Sequence, residues 1–277
     1  MHLFLNGKIL PASEASISVF DHGFLYGDGI YETLRTVNGE IFDPAAHFER
    51  FQKSAEMLRL RIPFSFEETL NATNELLKKN KFSSQKEARV RWSLTRGAND
   101  FHFSDAKNPT FLITTSDLPE YPEEYRTHGV SIVTLEIQRI LPTAKTISLL
   151  PMILGKQKCD DTGSFECLFL ENGNITEGTV SNFFIQVKDE IWTAPNEKIL
   201  EGTAGRIFLK KMGKFGFQRR EKLFSVSDVL KCAESAFLTN SLFGILPVTS
   251  IDRKKIGDGK VGEVFEKIAD DFWETFP

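Results

Sequence analysis

The spacing of apolar and polar positions predicts both strands and helices in the first half of the chain. Strand-like segments lie on either side of Asn38-Gly39, a pair that favours a tight hairpin turn because both residues tolerate positive φ. Asp43 and Pro44 then predict the start of a helix, with the acid as N-cap and the proline at the first helical position. This helix is expected to bury one apolar stripe, made of Phe48, Phe51, Ala55 and Leu58.

A second helix and two more strands complete the prediction for this half. Ser65 and Glu68 have the spacing of a capping box, so a helix is expected from Ser65 to about Lys79. Residues 88–95 and 110–115 are expected to form strands. On the first of these strands Arg89 and Arg91 share one face, because side chains alternate along a strand.

Residues 118–124 interrupt this pattern. The stretch L-P-E-Y-P-E-E contains two prolines and three acids and has no periodicity, so it predicts an interdomain connection. We therefore predict an α+β protein with two lobes, namely an N-terminal α/β lobe at 1–117, a linker at 118–127 and a C-terminal lobe at 128–277. Crevices between lobes are preferred sites for cofactors.

The second half repeats the mixture of strands and helices. A hairpin is expected to turn at Asn172-Gly173, and Ser225 with Asp228 is expected to cap a short helix. The remaining elements are expected strands at 130–137, 180–187, 235–240 and 246–251, and expected helices at 150–161, 203–215 and 260–275.

Composition excludes several classes of function. The chain has 277 residues and a net charge of -4, so no overall positive field attracts nucleic acid. No apolar run is long enough to cross a bilayer, and the N-terminal residues do not resemble a signal peptide, so a cytoplasmic location is expected. Three cysteines without paired spacing predict neither a metal site nor a disulfide framework. The 25 phenylalanines favour bulky cores or an apolar interface.

Two motifs of the second half carry the candidate chemistry. Lys145 lies in A-K-T, ahead of an apolar helix-like run that ends in G-K-Q, where Lys156 is a second lysine. Glu177 lies in T-E-G-T-V-S-N at residues 176–182. Isolated lysines and glutamates are usually solvated surface residues, but this combination resembles the signature of the class IV (fold-type IV) pyridoxal-phosphate aminotransferases.

The resemblance extends over nearly the whole chain and implies a fold-type IV architecture with pyridoxal 5'-phosphate in the interdomain crevice. It implies that Lys145 binds the cofactor as a Schiff base, whereas Lys156 does not. It also implies that Glu177 pairs with the pyridine nitrogen and keeps it protonated, so that the ring accepts electrons. A homodimer acting on small amino acids and keto acids is expected from the same resemblance.

The phosphate end of the cofactor needs positive charge and backbone donors. Arg50 lies in H-F-E-R-F, which resembles the helix whose arginine holds the phosphate in this family. Thr203 and Ala204 open an expected helix, and a helix start favours an anion. The family usually has a hydroxyl where Ala204 stands. Asn240 and Ser241 are expected in a second phosphate-binding turn.

The substrate side resembles the family at two segments. Residues 26–32, Y-G-D-G-I-Y-E, match the signature that supplies an active-site aromatic, here Tyr31, and Arg35 follows on the same segment. Arg91 matches the position where branched-chain enzymes carry an arginine beside the substrate carboxylate, and Arg89 is its neighbour on the same face. The alternative for this pair is a solvated strand edge.

The subgroup of the family to which this chain belongs is predicted from the positions where its sequence departs from, or matches, the patterns of each subgroup. After T-R-G, D-amino acid aminotransferases carry R-x-H, whereas this chain has A-N-D-F-H and keeps only His102. Residues 258–263, D-G-K-V-G-E, resemble the C-terminus of those enzymes, so we predict a D-amino acid aminotransferase with a non-standard carboxylate clamp. A branched-chain L-amino acid aminotransferase stays an alternative. The N-S-L turn at residues 240–242 is similar to that of aminodeoxychorismate lyases, which are a further alternative, as is a non-enzymatic binder of a phosphorylated ligand.

Overall fold

The computed structural model describes residues 1–98 and 108–275, and the chain divides into two compact units. The first unit comprises Met1–Pro119 with Ala144–Leu149, and the second comprises Glu120–Thr143 with Leu150–Pro277. From the sequence, residues 144–149 were expected in the second lobe. Their backbone explains the difference, because Tyr31 N–H donates to Lys145 O at 2.9 Å and Ile147 N–H donates to Gly29 O at 3.0 Å.

Within its described residues the first unit contains six strands, three α-helices and a short 3-10 helix at Ala12–Glu14. The strands are β1 (His2–Leu5), β2 (Lys8–Pro11), β3 (Gly29–Val37), β4 (Glu40–Ile41), β5 (Ala88–Thr95) and β6 (Thr110–Asp117). The helices are α1 (His22–Tyr26), α2 (Pro44–Met57) and α3 (Phe66–Lys79). The strands form one antiparallel sheet in the order β2-β1-β6-β5-β3-β4.

One face of this sheet packs on the helices α2 and α3. On β5 the side chains alternate between fully buried and half-buried, as period-two patterning requires. The buried set meets α2 and α3 in one core that includes Ile30, Leu34, Phe51, Trp92 and Phe111. The opposite face of β3 and β5 therefore presents its polar side chains away from the core.

Local sequence signals determine where these elements begin. Asn38 and Gly39 have φ of 53° and 83°, which confirms the predicted turn between β3 and β4. The side chain of Asp43 accepts a hydrogen bond from Ala46 N–H at the start of α2. Ser65 and Glu68 form the predicted capping box of α3.

The second unit contains the remaining elements. Its helices are α4 (Glu124–Thr127), α5 (Leu150–Thr162), α6 (Thr203–Lys214), α7 (Val226–Cys232) and α8 (Glu263–Thr275). Its strands are β7 (Val130–Glu136), β8 (Glu166–Glu171), β9 (Asn174–Gly178), β10 (Asn182–Val187), β11 (Glu190–Thr193), β12 (Gln218–Glu221), β13 (Ser235–Asn240), β14 (Gly244–Ile251) and β15 (Lys254–Lys255). Helix α4 lies inside the stretch predicted as a linker.

These nine strands form a mixed sheet. Its order is β12-β11-β10-β13-β14-β7-β8-β9, with β15 paired to β14. Helix α5 packs on β7 and β8, whereas α6 and α8 pack on β13 and β14. Asn172 and Gly173 make the predicted hairpin turn between β8 and β9, with φ of 53° and 74°. No helix in the described ranges has both the length and the apolar character needed to span a membrane.

Candidate active site

Lys145 is held against the polar face of the first sheet by its own backbone. Its N–H donates to Ser54 Oγ at 3.1 Å, and its carbonyl accepts from Tyr31 N–H at the edge of β3. The amine Nζ lies 4.7 Å from the centroid of the Tyr31 ring. The segment 144–149 thus pairs with β3 through an isolated β-bridge between Ile30 and Thr146, which brings the Lys145 side chain to Tyr31.

The two strand arginines lie on the same face as Tyr31. In the register of β3 with β5, Arg91 is opposite Thr33 and Arg89 is opposite Arg35, two and four residues along from Tyr31. The guanidinium Cζ of Arg91 lies 3.9 Å from the Tyr31 ring centroid. The structure therefore brings five predicted site residues of this unit to one face, namely Tyr31, Arg35, Lys145, Arg89 and Arg91.

No carboxylate among the described residues forms an ion pair with Arg89 or Arg91. Arg91 Nε donates to Ser93 Oγ at 3.1 Å, and Arg89 Nε is buried without a hydrogen-bond partner in the described part of the chain. Desolvation lowers the pKa of the Arg91 guanidinium; Tyr31 opposes this shift, and the nearby charge of Arg89 adds to it. Positive charge thus accumulates here without local compensation. Arg35 is half-buried and its Nε donates to the carbonyl of Thr36 at 3.3 Å.

Arg50 lies on the other face of the sheet and, unlike Arg89 and Arg91, is paired with a carboxylate. Its Nε and Nη2 each donate to one oxygen of Glu32 at 2.7 Å, in a bidentate pair. His47 Nδ1 lies 2.8 Å from Glu32 Oε2. Glu32 is fully buried, between Ile30 and Leu34 on β3, and Arg50 is 8% exposed. The predicted phosphate-binding arginine is therefore fixed in one orientation by a buried carboxylate.

Burial and charge act against each other in this cluster. Burial alone would raise the pKa of Glu32, but the charge and hydrogen bonds of Arg50, with those of His47, hold that pKa well below its ordinary range. For His47, burial lowers the pKa below its ordinary value and outweighs the hydrogen bond and charge of Glu32. The positive charges of Arg50 and Lys145 lower it further. These pKa shifts favour the neutral form of His47 and the ionised form of Glu32.

In the second unit, Glu177 is the buried acid of strand β9. Arg139 Nη1 donates to its Oε1 at 2.7 Å, and Leu200 N–H donates to its Oε2 at 3.0 Å. Arg139 also donates to the carbonyl of Pro142 at 3.1 Å. A cavity of about 180 Å³ adjoins this pair and is lined by both of its residues. The carboxylate is fixed from two sides and keeps further lone pairs for another donor.

Helix α6 begins three residues after Leu200, and glycines lie on both sides of its first two residues, at positions 202 and 205. Thr203 and Ala204 are its first residues, both buried, and the preceding Gly202 supplies no side-chain cap. A Cβ added at Gly202 would overlap Asn182 Oδ1, and one added at Gly205 would lie 3.4 Å from Thr239 Oγ1. The Thr239 hydroxyl is buried without a hydrogen-bond partner in the described ranges.

Asn240 is the last residue of β13, and Ser241 lies in the turn into β14. The Asn240 amide Nδ2 donates to the carbonyl of Val180, and its Oδ1 accepts from Leu242 N–H at 2.7 Å. Asn240 therefore fixes the turn that follows Glu177. Its side chain joins two loops, a role that the sequence prediction did not include.

Two features of the site were not predicted from the sequence, namely Arg139 and the role of Glu32. A charged residue in the apolar register of β3, between Ile30 and Leu34, was a usable signal for Glu32. Arg139 had no comparable signal, because its partner Glu177 is 38 residues away. His102 lies outside the described residues. Within them, no group of three or more His, Cys, Asp or Glu side chains is arranged to hold a metal ion.

Solved structures of aminotransferases share this fold. The branched-chain aminotransferase of Thermoproteus uzoniensis, solved with norvaline, matches with a TM-score of 0.87 at 24% identity, and the match covers 99% of this chain and 94% of that one. A hypothetical aminotransferase of Mycobacterium tuberculosis, solved with α-ketoglutarate and PMP, matches with a TM-score of 0.85 at 21% identity. That match covers 100% of this chain and 99% of the other.

Sequence comparison supports the interpretation of the motifs. A putative branched-chain-amino-acid aminotransferase of Methanocaldococcus jannaschii is 31% identical over 278 residues, covering 98% of this chain and 95% of that protein. A D-alanine aminotransferase of Bacillus licheniformis is 30% identical over 271 residues, covering 97% and 94%. The family described as "Amino-transferase class IV" matches residues 29–251. The protein therefore belongs to the class IV aminotransferases, which are pyridoxal-phosphate-dependent enzymes.

Proposed function

We propose that the enzyme transfers an amino group between a D-amino acid and a 2-keto acid. The observation that carries this proposal is the pair of uncompensated guanidinium groups, Arg89 and Arg91, on the face where Tyr31 meets the Lys145 amine. An α-carboxylate that enters a partly desolvated site needs a compensating charge. The D preference is supported by relatives that are named D-alanine aminotransferases and by residues 258–263.

Lys145 is the catalytic base and acid in this proposal. When bound, pyridoxal 5'-phosphate supplies the electron sink that carries the amino group from one substrate to the other. The Lys145 amine binds the cofactor and moves the proton at the substrate α-carbon. Contact with the Tyr31 ring and the anchored backbone restrict the positions that Nζ can take. Lys156, on α5, does not take part in proton transfer.

Glu177 would hold the proton on the pyridine nitrogen. Its carboxylate is 5% exposed and is oriented by Arg139 and by Leu200 N–H, so it meets a ring N–H without first reorganising. We therefore assign Glu177 to ring activation and Arg139 to its support.

The start of α6 fits the phosphate end of the cofactor. A helix N-terminus without a side-chain cap, a glycine at the cap position and the buried Thr239 hydroxyl together make an anion cradle. Thr203 and Ala204 supply backbone donors there, with Ser241 as a further candidate. The resemblance adds Arg50 to the phosphate site, in the orientation that Glu32 fixes.

Arg91 is our first choice for the carboxylate clamp, with Arg89, Arg35 and Tyr31 assisting. A guanidinium can grip both oxygens of a carboxylate in a planar pair. Arg91 donates to Ser93, and its contact with Tyr31 positions it beside the residue that also touches the Lys145 amine. The clamp would be occupied by the substrate in place of a protein carboxylate.

Branched-chain transamination is the second candidate. It is favoured by the relative from Methanocaldococcus jannaschii and by Arg91, which stands where branched-chain enzymes carry an arginine. The two candidates differ in which stereoisomer presents its α-proton to Lys145 while its carboxylate meets the clamp. Rates with D-alanine, D-glutamate, L-alanine, L-glutamate and L-leucine separate them. A preference for L-leucine would reject the D assignment, and pyruvate release from aminodeoxychorismate would move the enzyme to the lyases.

Labelling identifies the lysine independently of the substrate. Borohydride reduction of the cofactor-loaded enzyme, followed by peptide mapping, should place the cofactor on Lys145. A label on Lys156 would overturn the assignment. An absorbance spectrum of the purified protein tests the binder alternative, because a colourless protein after loading with cofactor would indicate that no such bond forms.

We also propose a cytoplasmic homodimer. The segment before β3 exposes an apolar cluster that a second copy could cover, with Val19 64%, Phe20 68% and Phe24 75% exposed. Free buried thiols at Cys159 and Cys167 suit a reducing compartment. Light scattering at working concentration should give twice the chain mass, and an active monomer would refute the dimer.

A further inference from the structure

A second buried carboxylate lies in the same unit as Glu177 but outside the residues assigned above. Glu166 is the first residue of β8 and is fully buried. Burying a carboxylate is costly unless hydrogen bonds replace the lost water. It lies beside Cys167 and Phe169 in an apolar strand, so most of the groups that replace its lost water must come from other segments of the chain.

The groups that contact this carboxylate in the described part of the chain are all donors. Oε1 accepts from Cys167 N–H at 2.9 Å, from Thr179 Oγ1 and from Lys156 Nζ at 3.2 Å. Oε2 accepts from Ser181 Oγ at 2.8 Å and from Val180 N–H at 3.3 Å. An ionised carboxylate accepts all five bonds, whereas a neutral amide or acid in its place would direct a donor at one of these donors.

Three of the five donors belong to one turn, residues 179–181, which joins β9 to β10. This turn begins two residues after Glu177. It is closed by Gly178 N–H donating to Ser181 O at 2.7 Å, and it is tied to β8 by Thr179 N–H donating to Cys167 O at 3.0 Å. The exposed residue of the turn is Val180, at 47%, whereas both hydroxyl residues point inward to Glu166.

Close packing leaves this turn little room to relax. A Cβ at Gly178 would overlap Ser181 Oγ, and a Cβ at Gly155 on α5 would overlap the Thr179 methyl group. Asn240 binds the carbonyl of Val180 from a third side. The glycines of the T-E-G and G-K-Q motifs are therefore required for the same purpose, because they let β9 and α5 approach the same turn closely.

We propose that Glu166, with Lys156 as its counter-charge, is a positioning residue of the active site. It holds the turn at 179–181 and, through that turn, the strand end that presents Glu177. The proposal rests on the assignment of Glu177 to the cofactor ring. It gives the second lysine of the motif, Lys156, a function that involves no covalent chemistry.

The test uses the cofactor-loaded enzyme. Glu166→Gln keeps the shape of the side chain and directs an amide donor at the turn. We expect it to slow the half-reaction with a good amino-acid substrate by about tenfold to a hundredfold, which is the scale for misplaced catalytic groups. We also expect altered visible circular dichroism of the bound cofactor and faster cofactor loss on dialysis. Glu190→Gln, which removes a carboxylate bound to Trp192 Nε1 in the same sheet, is the control.

A purely structural role would look different. Glu166→Gln would then lower the melting temperature but retain the parental circular dichroism and half-reaction rate, and this result would overturn the proposal. If the variant does not fold, Ser181→Ala and Thr179→Val each remove a single bond to Glu166 and should give the same spectral change to a smaller extent. Parental spectra in both would equally reject the idea.

The double variant Glu166→Gln/Ser181→Ala adds a further criterion. Because the two changes break the same bond, its half-reaction should be no slower than that of Glu166→Gln alone. Multiplicative losses would show that the two residues act separately. Failure of the proposed function is distinguishable, because it would appear in the parent enzyme itself, either as a preference for L-leucine or as the absence of a half-reaction with any amino acid.

Discussion

Arg50 and Arg91 lie in the same unit, on opposite faces of one sheet, and their surroundings are opposite in charge. The guanidinium of Arg50 is gripped by the buried carboxylate of Glu32, which compensates its charge. The guanidinium of Arg91 rests on the Tyr31 ring, with Arg89 beside it and no carboxylate paired to it among the described residues. The Arg50 side chain is held in one position by a protein carboxylate, whereas the Arg91 side chain has no such partner in the described part of the chain.

This difference separates two requirements of the same reaction. A cofactor that stays bound through many turnovers needs a site whose geometry does not change, and a bidentate buried pair provides that rigidity. A substrate that enters and leaves needs a site whose charge it alone completes. The second unit contains another buried pair of this kind, Arg139 with Glu177, in which the carboxylate is the residue proposed to meet the cofactor.

The largest effect is expected when the compensated pair is broken. Glu32→Gln leaves Arg50 charged and buried, so the free energy of unfolding should fall by about 3–5 kcal/mol. Urea unfolding at a fixed saturating cofactor concentration measures it. Glu49→Gln is the control, because its pair with Lys53 on the same helix is exposed and should contribute less than about 1 kcal/mol. Equal losses in both variants would contradict the framework role of Glu32.

The uncompensated arginines should give the converse result. Arg91→Met should lower kcat/KM for amino acids by about tenfold or more, the equivalent of a charge-assisted hydrogen bond, while leaving simple amines unaffected. Stability should not fall, since no ion pair is lost and a desolvated charge is removed. The same measurements on Arg89→Met determine which guanidinium contacts the carboxylate. Arg61→Met, an exposed arginine, is the control. If Arg91→Met lost as much stability as Glu32→Gln, the proposed difference between the two arginines would be wrong.

Arg139→Met extends the comparison to the second unit. Glu177 would keep the Leu200 N–H bond but lose its charged partner, so the half-reaction should slow by about tenfold. Single-turnover kinetics measure this rate, and dialysis should show that cofactor retention changes less than the rate does. Arg220→Met removes an exposed, ion-paired arginine of the same unit and should leave the rate at the parental value. An unchanged rate in Arg139→Met would limit Arg139 to packing.

Local signals made much of the fold predictable. The turns at Asn38-Gly39 and Asn172-Gly173 and the capping boxes at Ser65 and Ser225 involve neighbours only, and the structure confirms all of them. The same kind of turn at Asn6-Gly7 joins β1 to β2, but strands of four residues are too short for a periodicity to reveal them. Those two strands were not predicted.

Long-range pairing explains what the sequence could not supply. Family motifs predicted Lys145, Glu177 and Arg50 as site residues, yet the partners that orient the last two, Arg139 and Glu32, are 38 and 18 residues away. Residues 144–149 joined the first unit through backbone bonds that no side-chain pattern encodes. Charge compensation is therefore the property of this site that only the three-dimensional structure reveals.

The smallest effect expected concerns the third member of the compensated cluster, His47. Its pKa in the folded protein is below its ordinary value of 6.5, mainly because it is buried. Below about pH 6.5 this histidine therefore binds a proton in the unfolded chain but not in the folded protein. The free energy of unfolding consequently falls as the pH falls, by at most about 1.4 kcal/mol per pH unit. Above about pH 6.5 this contribution is constant.

His47→Asn, whose amide can donate to Glu32 without titrating, should flatten urea-unfolding profiles between about pH 7 and pH 5, roughly the range that a histidine titrates. His128→Asn removes an exposed histidine and should leave the slope unchanged. A slope that persists in His47→Asn would mean that His47 takes up its proton in the folded state, and that the cluster around Glu32 is compensated differently from the way its geometry indicates.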